Sequence, residues 1–171
     1  MPDAPGLELI RGEIEQDHPG AVLDTGFEHG CASMSIAPEH ALAVLGWLRD
    51  SPGHEYRFLS SLHAADYLPA EPRFAVHYEL LNRDRVERLR VKALLPDPGD
   101  TLPEIDSCVD LFPTAEFQER EVYDFFGIVF RGHPDLTRIL LPEDYVGWPQ
   151  RRDFPVGGEP VTFTYNERNY G

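Results

Sequence analysis

Glu119, Arg120, Glu121 and Asp124 crowd one short stretch of the chain, and His133, Arg138, Arg151, Arg152 and Asp153 follow it closely. A carboxylate within reach of an imidazole is the material of general acid–base catalysis, so a free-standing acid–base enzyme built on Glu119 and His133 is one reading. Carboxylates facing guanidiniums are equally the material of fixed, bidentate ion pairs. His133 sits between Gly132 and Pro134, beside the turn-forming Asp135, with no second His or Cys at metal-ligand spacing, so its structural reading is the stronger. The sequence holds no G-x-S-x-G, no phosphate-binding G-x-x-x-x-G-K-[ST] and no G-x-G-x-x-G. Acidic pairs are plentiful, but abundance alone nominates no general acid.

The first cluster needs a helix to position it. Thr114 is the expected N-cap and Gly127 the expected terminator. At about 100° per residue, Ala115, Val122, Tyr123 and Phe126 share roughly a third of the circumference, and Glu119 falls inside that arc. A carboxylate on an apolar stripe needs a partner or must bend to solvent at the stripe's edge. Arg138, Arg151 or Arg152 is the expected partner. Arg120 and Asp124 lie four apart on another face, where a solvated ion pair is expected.

Upstream, Leu7–Asp17 reads as a short amphipathic helix, Ala21–Phe27 and Ala32–Ile36 as two strands, and Pro38 as the start of a second helix striped by Ala41, Leu42, Leu45 and Leu48. Three strand-like runs follow, Tyr56–Tyr67, Phe74–Leu81 and Val86–Leu95, the last two forming an antiparallel pair across a short polar turn. In the last run, Val86, Leu89, Val91 and Ala93 share a face only with a slip or bulge near Arg88. Ile105–Leu111 reads as a short helix, and His77 on its alternating strand is expected to face outward. The order implies an α+β fold with a mixed or antiparallel sheet packed by helices. The expected organisation is an α+β domain over 1–113, a helix and turn over 114–140 packed on it, and an extended docking tail over 141–171.

The chain has 171 residues, 42% hydrophobic and 26% charged, which suits a single soluble domain. Its formal net charge of −15 excludes nucleic acid as an expected partner, because phosphate binding needs clustered Lys and Arg. The charge is uneven: 73–92 holds Arg73, Arg83, Arg85, Arg88, Arg90 and Lys92, whereas 97–124 is strongly acidic. Lys92 is the sole lysine. Cys31 and Cys108 are isolated, so two buried, inert thiols are expected and no Fe–S cluster, which ordinarily needs four thiolates. The longest apolar runs are far short of the ~20 residues that cross a bilayer. The N-terminus shows no basic segment leading into an apolar one, so a cytosolic placement is expected.

The tail carries Pro142, Pro149, Pro155 and Pro160 among Tyr145, Trp148, Phe154, Phe163, Tyr165 and Tyr170. That proline density prevents a long helix, and the aromatics suit extended binding along another surface. Few contacts with the chain's own domain are therefore expected of it, packing back on that domain being the alternative.

The run Glu119-Arg120-Glu121, Asp124, Gly127-Ile128, Phe130, Gly132-His133-Pro134, Leu136, Arg138-Ile139-Leu140 and Pro142, followed by Pro149, Arg151-Arg152-Asp153-Phe154-Pro155, resembles the signature of the C subunit of proton-pumping NADH:quinone oxidoreductase, respiratory complex I. Phe117, Gln150 and Arg152 depart from that pattern, which has Trp, Leu and Lys there. The resemblance implies a peripheral-arm subunit on the cytoplasmic side of the membrane, without catalytic residues, cofactor or metal of its own. NAD, FMN, iron–sulfur clusters and quinone would belong to the rest of the complex. The implied partners are the quinone-site D subunit and neighbouring iron–sulfur subunits, with membrane contact only through the complex. Related subunits in membrane-bound hydrogenases and in ferredoxin- or deazaflavin-dependent complexes are the alternative setting.

Overall fold

Alternating apolar residues make the centre of the molecule a sheet. The computed structural model describes residues 2–155. Its elements run α1 (Ala4–Asp17), β1 (Val22–Glu28), β2 (Cys31–Ile36), a 3-10 turn (Pro38–His40), α2 (Ala41–Asp50), β3 (Phe58–Asp66), β4 (Phe74–Asn82), β5 (Glu87–Leu95), β6 (Glu104–Asp106), α3 (Ala115–Phe126) and β7 (Val129–Arg131). The fold is α+β, as the sequence predicts. Five strands pair in the order β1-β2-β5-β4-β3, with only β2–β5 parallel, and β6 and β7 form a separate parallel pair.

The β4–β5 hairpin is antiparallel, in register from Phe74 opposite Leu95 to Asn82 opposite Glu87. No bulge is needed in β5, because the strand starts at Glu87 and leaves Val86 in the turn, exposed and with φ +54°. Phe74, Val76, Tyr78 and Leu80 then share a face with Leu89, Val91, Ala93 and Leu95. The apolar stripes of all three helices join that one face in a single core, with Leu7, Ile10 and Ile14 from α1, Val44, Leu45 and Leu48 from α2, and Ala115, Val122 and Phe126 from α3. Asp3 caps α1, its Oδ1 accepting from Gly6 N at 2.8 Å.

Four local expectations are corrected. Thr114 has helical dihedrals and caps nothing; its hydroxyl donates to Leu59 O of β3, and Gln118 Oε1 accepts from Leu62 N. Helix α3 thereby covers the free edge of β3, which would otherwise offer a row of unpaired backbone groups. Residues 105–111 are not a helix, because Glu104–Asp106 pairs with Val129–Arg131 across the sequence. His77 is only 5% exposed: Tyr67 Oη meets its Nε2 at 3.1 Å and the His63 ring stacks on it at 4.8 Å. Cys108 is buried, but Cys31 is exposed at the start of β2.

Candidate functional site

Two buried carboxylates leave α3 on different sides, and neither has the surroundings its spacing suggests. Glu119 is 0% exposed and pairs with no arginine among the described residues. Its Oε2 accepts from Ser107 Oγ at 2.6 Å and its Oε1 from Cys108 N at 2.8 Å. The expected Glu119–Arg pairing is therefore replaced by a grip on the loop after β6. That loop reaches Glu119 because β6 pairs with β7, a long-range contact without local sequence signal. Burial pushes the Glu119 carboxyl up, against the downward pull of Ser107 and the Cys108 N–H.

Asp124 takes the arginine instead. Arg138 Nη1 donates to Asp124 Oδ1 at 2.7 Å and to Asp124 O at 2.9 Å, while Oδ2 accepts from the backbone N–H of Ile139, Leu140 and Leu141 at 3.1, 2.8 and 2.9 Å. Asp124 is 0% exposed, so the expected solvated pair with Arg120 does not form. Arg120 donates to the Thr137 hydroxyl and to Thr137 O and Arg138 O. Burial pushes the Asp124 carboxyl up, but the Leu141 N–H, the Arg138 guanidinium and the Leu140 and Ile139 N–H groups together hold it below the usual range. Charge-assisted bonds of this kind are about twice as strong as neutral ones.

Arg138 then reaches on. Its Nη2 donates to Tyr145 O and Gly147 O, both at 3.0 Å, and its guanidinium lies 4.5 Å from the Trp148 ring centroid. Gly127 ends α3 in the left-handed region (φ +68°) and lies directly under Trp148; a Cβ there would come within 2.5 Å of the indole. Two constraints therefore meet at this glycine, the helix terminator and a ring-to-backbone contact.

Residues 141–155 hold no helix or strand, as their prolines predict, yet they pack on the domain rather than standing off. Gln150 N donates to Phe125 O, Arg151 Nε to Phe126 O and Arg152 N to Asp66 Oδ2. Asp153 meets the buried Arg73 at 2.8 Å, and Arg73 also binds Asp66 and Asp97. Burial raises the Asp66 carboxyl, but Arg73, Arg152 N and Leu68 N bring it down to about 2. Asp66, Arg73 and Ser107 carry no site signal in the sequence, because hairpin register and the β6–β7 crossing bring them into place. Phe154 packs against Gly147 and stacks on Tyr145 at 6.4 Å. Pro149 is half-buried, Pro155 is exposed, and Phe163, Tyr165, Tyr170 and Pro160 lie outside the described residues.

His133 Nε2 meets the backbone carbonyl of Glu116 at 2.9 Å and so donates, while Nδ1 accepts from Asp135 N at 3.0 Å. Both ring nitrogens are thus occupied in a turn at Gly132 (φ +82°) and the exposed Pro134. Glu121 is exposed beside Phe125 and Gln150 on a small cavity. Asp124, Gly127, Arg138, Arg151, Arg152 and Asp153 form a clasp that fixes an irregular arm, 139–155, across the end of the sheet, whereas Glu119, Glu121 and His133 lie outside it.

The fold recurs in a chain of the membrane-bound sulfane sulfur reductase, an archaeal respiratory membrane complex, with a TM-score of 0.68 at 23% identity, covering 95% of this chain and 90% of that one. The class is therefore an α+β domain of a kind seen in a respiratory assembly, here carrying a clasped arm. The chain belongs to the family of the respiratory-chain NADH dehydrogenase 30 Kd subunit, whose model matches residues 34–160. It is 45% identical over 142 residues to the C subunit of the NADH-quinone oxidoreductase of Herpetosiphon aurantiacus, covering 83% of this chain and 81% of the relative. The protein of the same description from Roseiflexus castenholzii is 43% identical over 158 residues, covering 92% and 89%. Among the described residues no helix is long and apolar enough to cross a membrane.

Proposed function

We propose that the chain is a non-catalytic, cofactor-free peripheral-arm subunit of a proton-pumping NADH:quinone oxidoreductase, on the cytoplasmic side of the membrane. In this reading it docks the quinone-site subunit and neighbouring iron–sulfur subunits. The observation that carries it is the use made of the signature residues. Asp124 and Arg138 pair with each other and with backbone groups, Arg151 donates to Phe126 O, and Asp153 meets Arg73, together holding an arm in place. That arm turns Leu140 (61% exposed) and Val146 (89%) outward, and apolar side chains so placed suit burial against another subunit.

The test has two arms. The purified chain should oxidise no NADH and reduce no quinone, while membranes from cells lacking it should lose NADH:quinone activity and regain it with the chain restored. Turnover by the chain alone, or full activity in its absence, would contradict the reading.

A further inference from the structure

The core lies on one side of the five-stranded sheet; on the other side Ala75 and His77 are buried beneath neighbouring side chains, while Arg88 and His63 are exposed. Every described helix stripe joins the face of Val76, Tyr78 and Val91, and no described side chain of the opposite face belongs to that core. Register defines this second face: Ser33 and Ser35 of β2, Arg88, Arg90 and Lys92 of β5, Ala75, His77 and Glu79 of β4, and Ser61, His63 and Ala65 of β3. Across its β3–β5 part three cations stand against Glu79 alone, which pairs with Arg90. Asp24 and Glu28 lie away on the outer strand β1. In a chain of net charge −15 this is a local reversal of sign.

Two further features mark the face as incomplete. His77 is 5% exposed, yet its Nδ1 is buried with no hydrogen-bond partner among the described residues, although buried polar atoms are ordinarily satisfied. A recess between Cys31, Glu79, Arg88 and Arg90 opens on the same face, with room of about 120 Å³ for an incoming side chain. The serines and alanines beside the cations are small enough to let another surface come close.

The geometry points to this open face as a second docking surface, one that takes a carboxylate-bearing surface of a partner subunit. It rests on the reading of the chain as a subunit of an assembly, and at its β3 border His63 shares a cavity with Gln150 of the arm. Charge complementarity decides the partner's chemistry: among the described residues Arg88 and Lys92 have no carboxylate of their own face left to pair with, and an approaching Asp or Glu supplies one.

Lys92 makes the test clean, because it is the only lysine in the chain. In the assembled complex a water-soluble carbodiimide, which joins an amine directly to a touching carboxylate, should link Lys92 to an Asp or Glu of another subunit. Lys92 should also acetylate several-fold more slowly in the complex than in the free chain. Lys92→Arg should lose the cross-link but keep its place in the complex, whereas Lys92→Glu should be recovered with the complex in several-fold lower amount. If the chain co-purifies with the complex but Lys92 reacts as freely as in isolation, this inference fails and the subunit reading stands. Protection without a carboxylate cross-link, as lipid or nucleic-acid phosphate would give, also overturns it, and so does a cross-link to a second copy. A chain that never co-purifies overturns both readings.

Discussion

The two buried carboxylates of α3 sit five residues apart on one helix, and they are held in opposite ways. Glu119 is met by one hydroxyl and one backbone N–H, and burial wins, so its charged form is disfavoured. Asp124 is met by a guanidinium and three backbone N–H groups, and the donors win, so its charged form is favoured. Deeper burial at Glu119 and the greater number and charge of the donors at Asp124 together decide which carboxylate is an ion at the sheet end. Glu119 ties the helix to the core, whereas Asp124 ties the arm to the helix.

The largest effect of disturbing this contrast is expected at Arg138. Arg138→Ala strands Asp124 as a buried, unpaired charge and should cost about 3–5 kcal/mol by denaturant unfolding. An unchanged midpoint would show that the three N–H groups suffice without the guanidinium. Gly127→Ala should come next, at about 2 kcal/mol or more, because it meets both the left-handed backbone and the Trp148 ring. A crystal structure of that variant with Trp148 undisplaced would contradict the clash with the ring.

The dependence on pH separates the two carboxylates by its sign. Asp124 has a lowered pKa when folded, so its stabilisation is present above the ordinary carboxylate range and lost as pH falls through the lowered value. The stability gap between wild type and Asp124→Asn should therefore widen as pH rises through that range. Glu119 has a raised pKa when folded, so stability falls as pH rises from the ordinary range through the raised value. The gap to Glu119→Gln should narrow over that interval. Parallel slopes for the two variants would remove the distinction. The smallest effect belongs to Val86, exposed and β-branched at φ +54°, where Val86→Gly should stabilise by about 0.5–1 kcal/mol; destabilisation in a thermal melt would refute it.

What the sequence reveals and what it hides follow from distance along the chain. Alternation in Phe74–Leu81 and the apolar stripes of the helices specify the hairpin and the core, because period and turn chemistry are local. Gly127 is legible as a terminator, but Trp148 lying on it is not. The arc containing Glu119 correctly marks it as buried, and the wrong partner is drawn from it because Ser107 and Cys108 arrive through a parallel strand pair with no local signature. Asp124 is misread as solvated since helical spacing offers it Arg120, while the turn at 132–135 delivers Arg138. Proline content predicts the irregular backbone of 141–155 but says nothing of the arginine forks and aromatic contacts that lay it on the domain.

Whether the clasped arm carries assembly is decided by putting tagged variants into cells that lack the natural chain. Two quantities are read together: recovery of the quinone-site subunit with the tagged chain, and NADH:quinone activity of the membranes. Val86→Gly should match wild type in both. Arg138→Ala should lose most of both while circular dichroism shows the α+β domain still folded and proteolysis shows residues 139–155 released. Arg138→Ala with the arm released yet full recovery and full activity would contradict the claim that the clasped arm carries assembly.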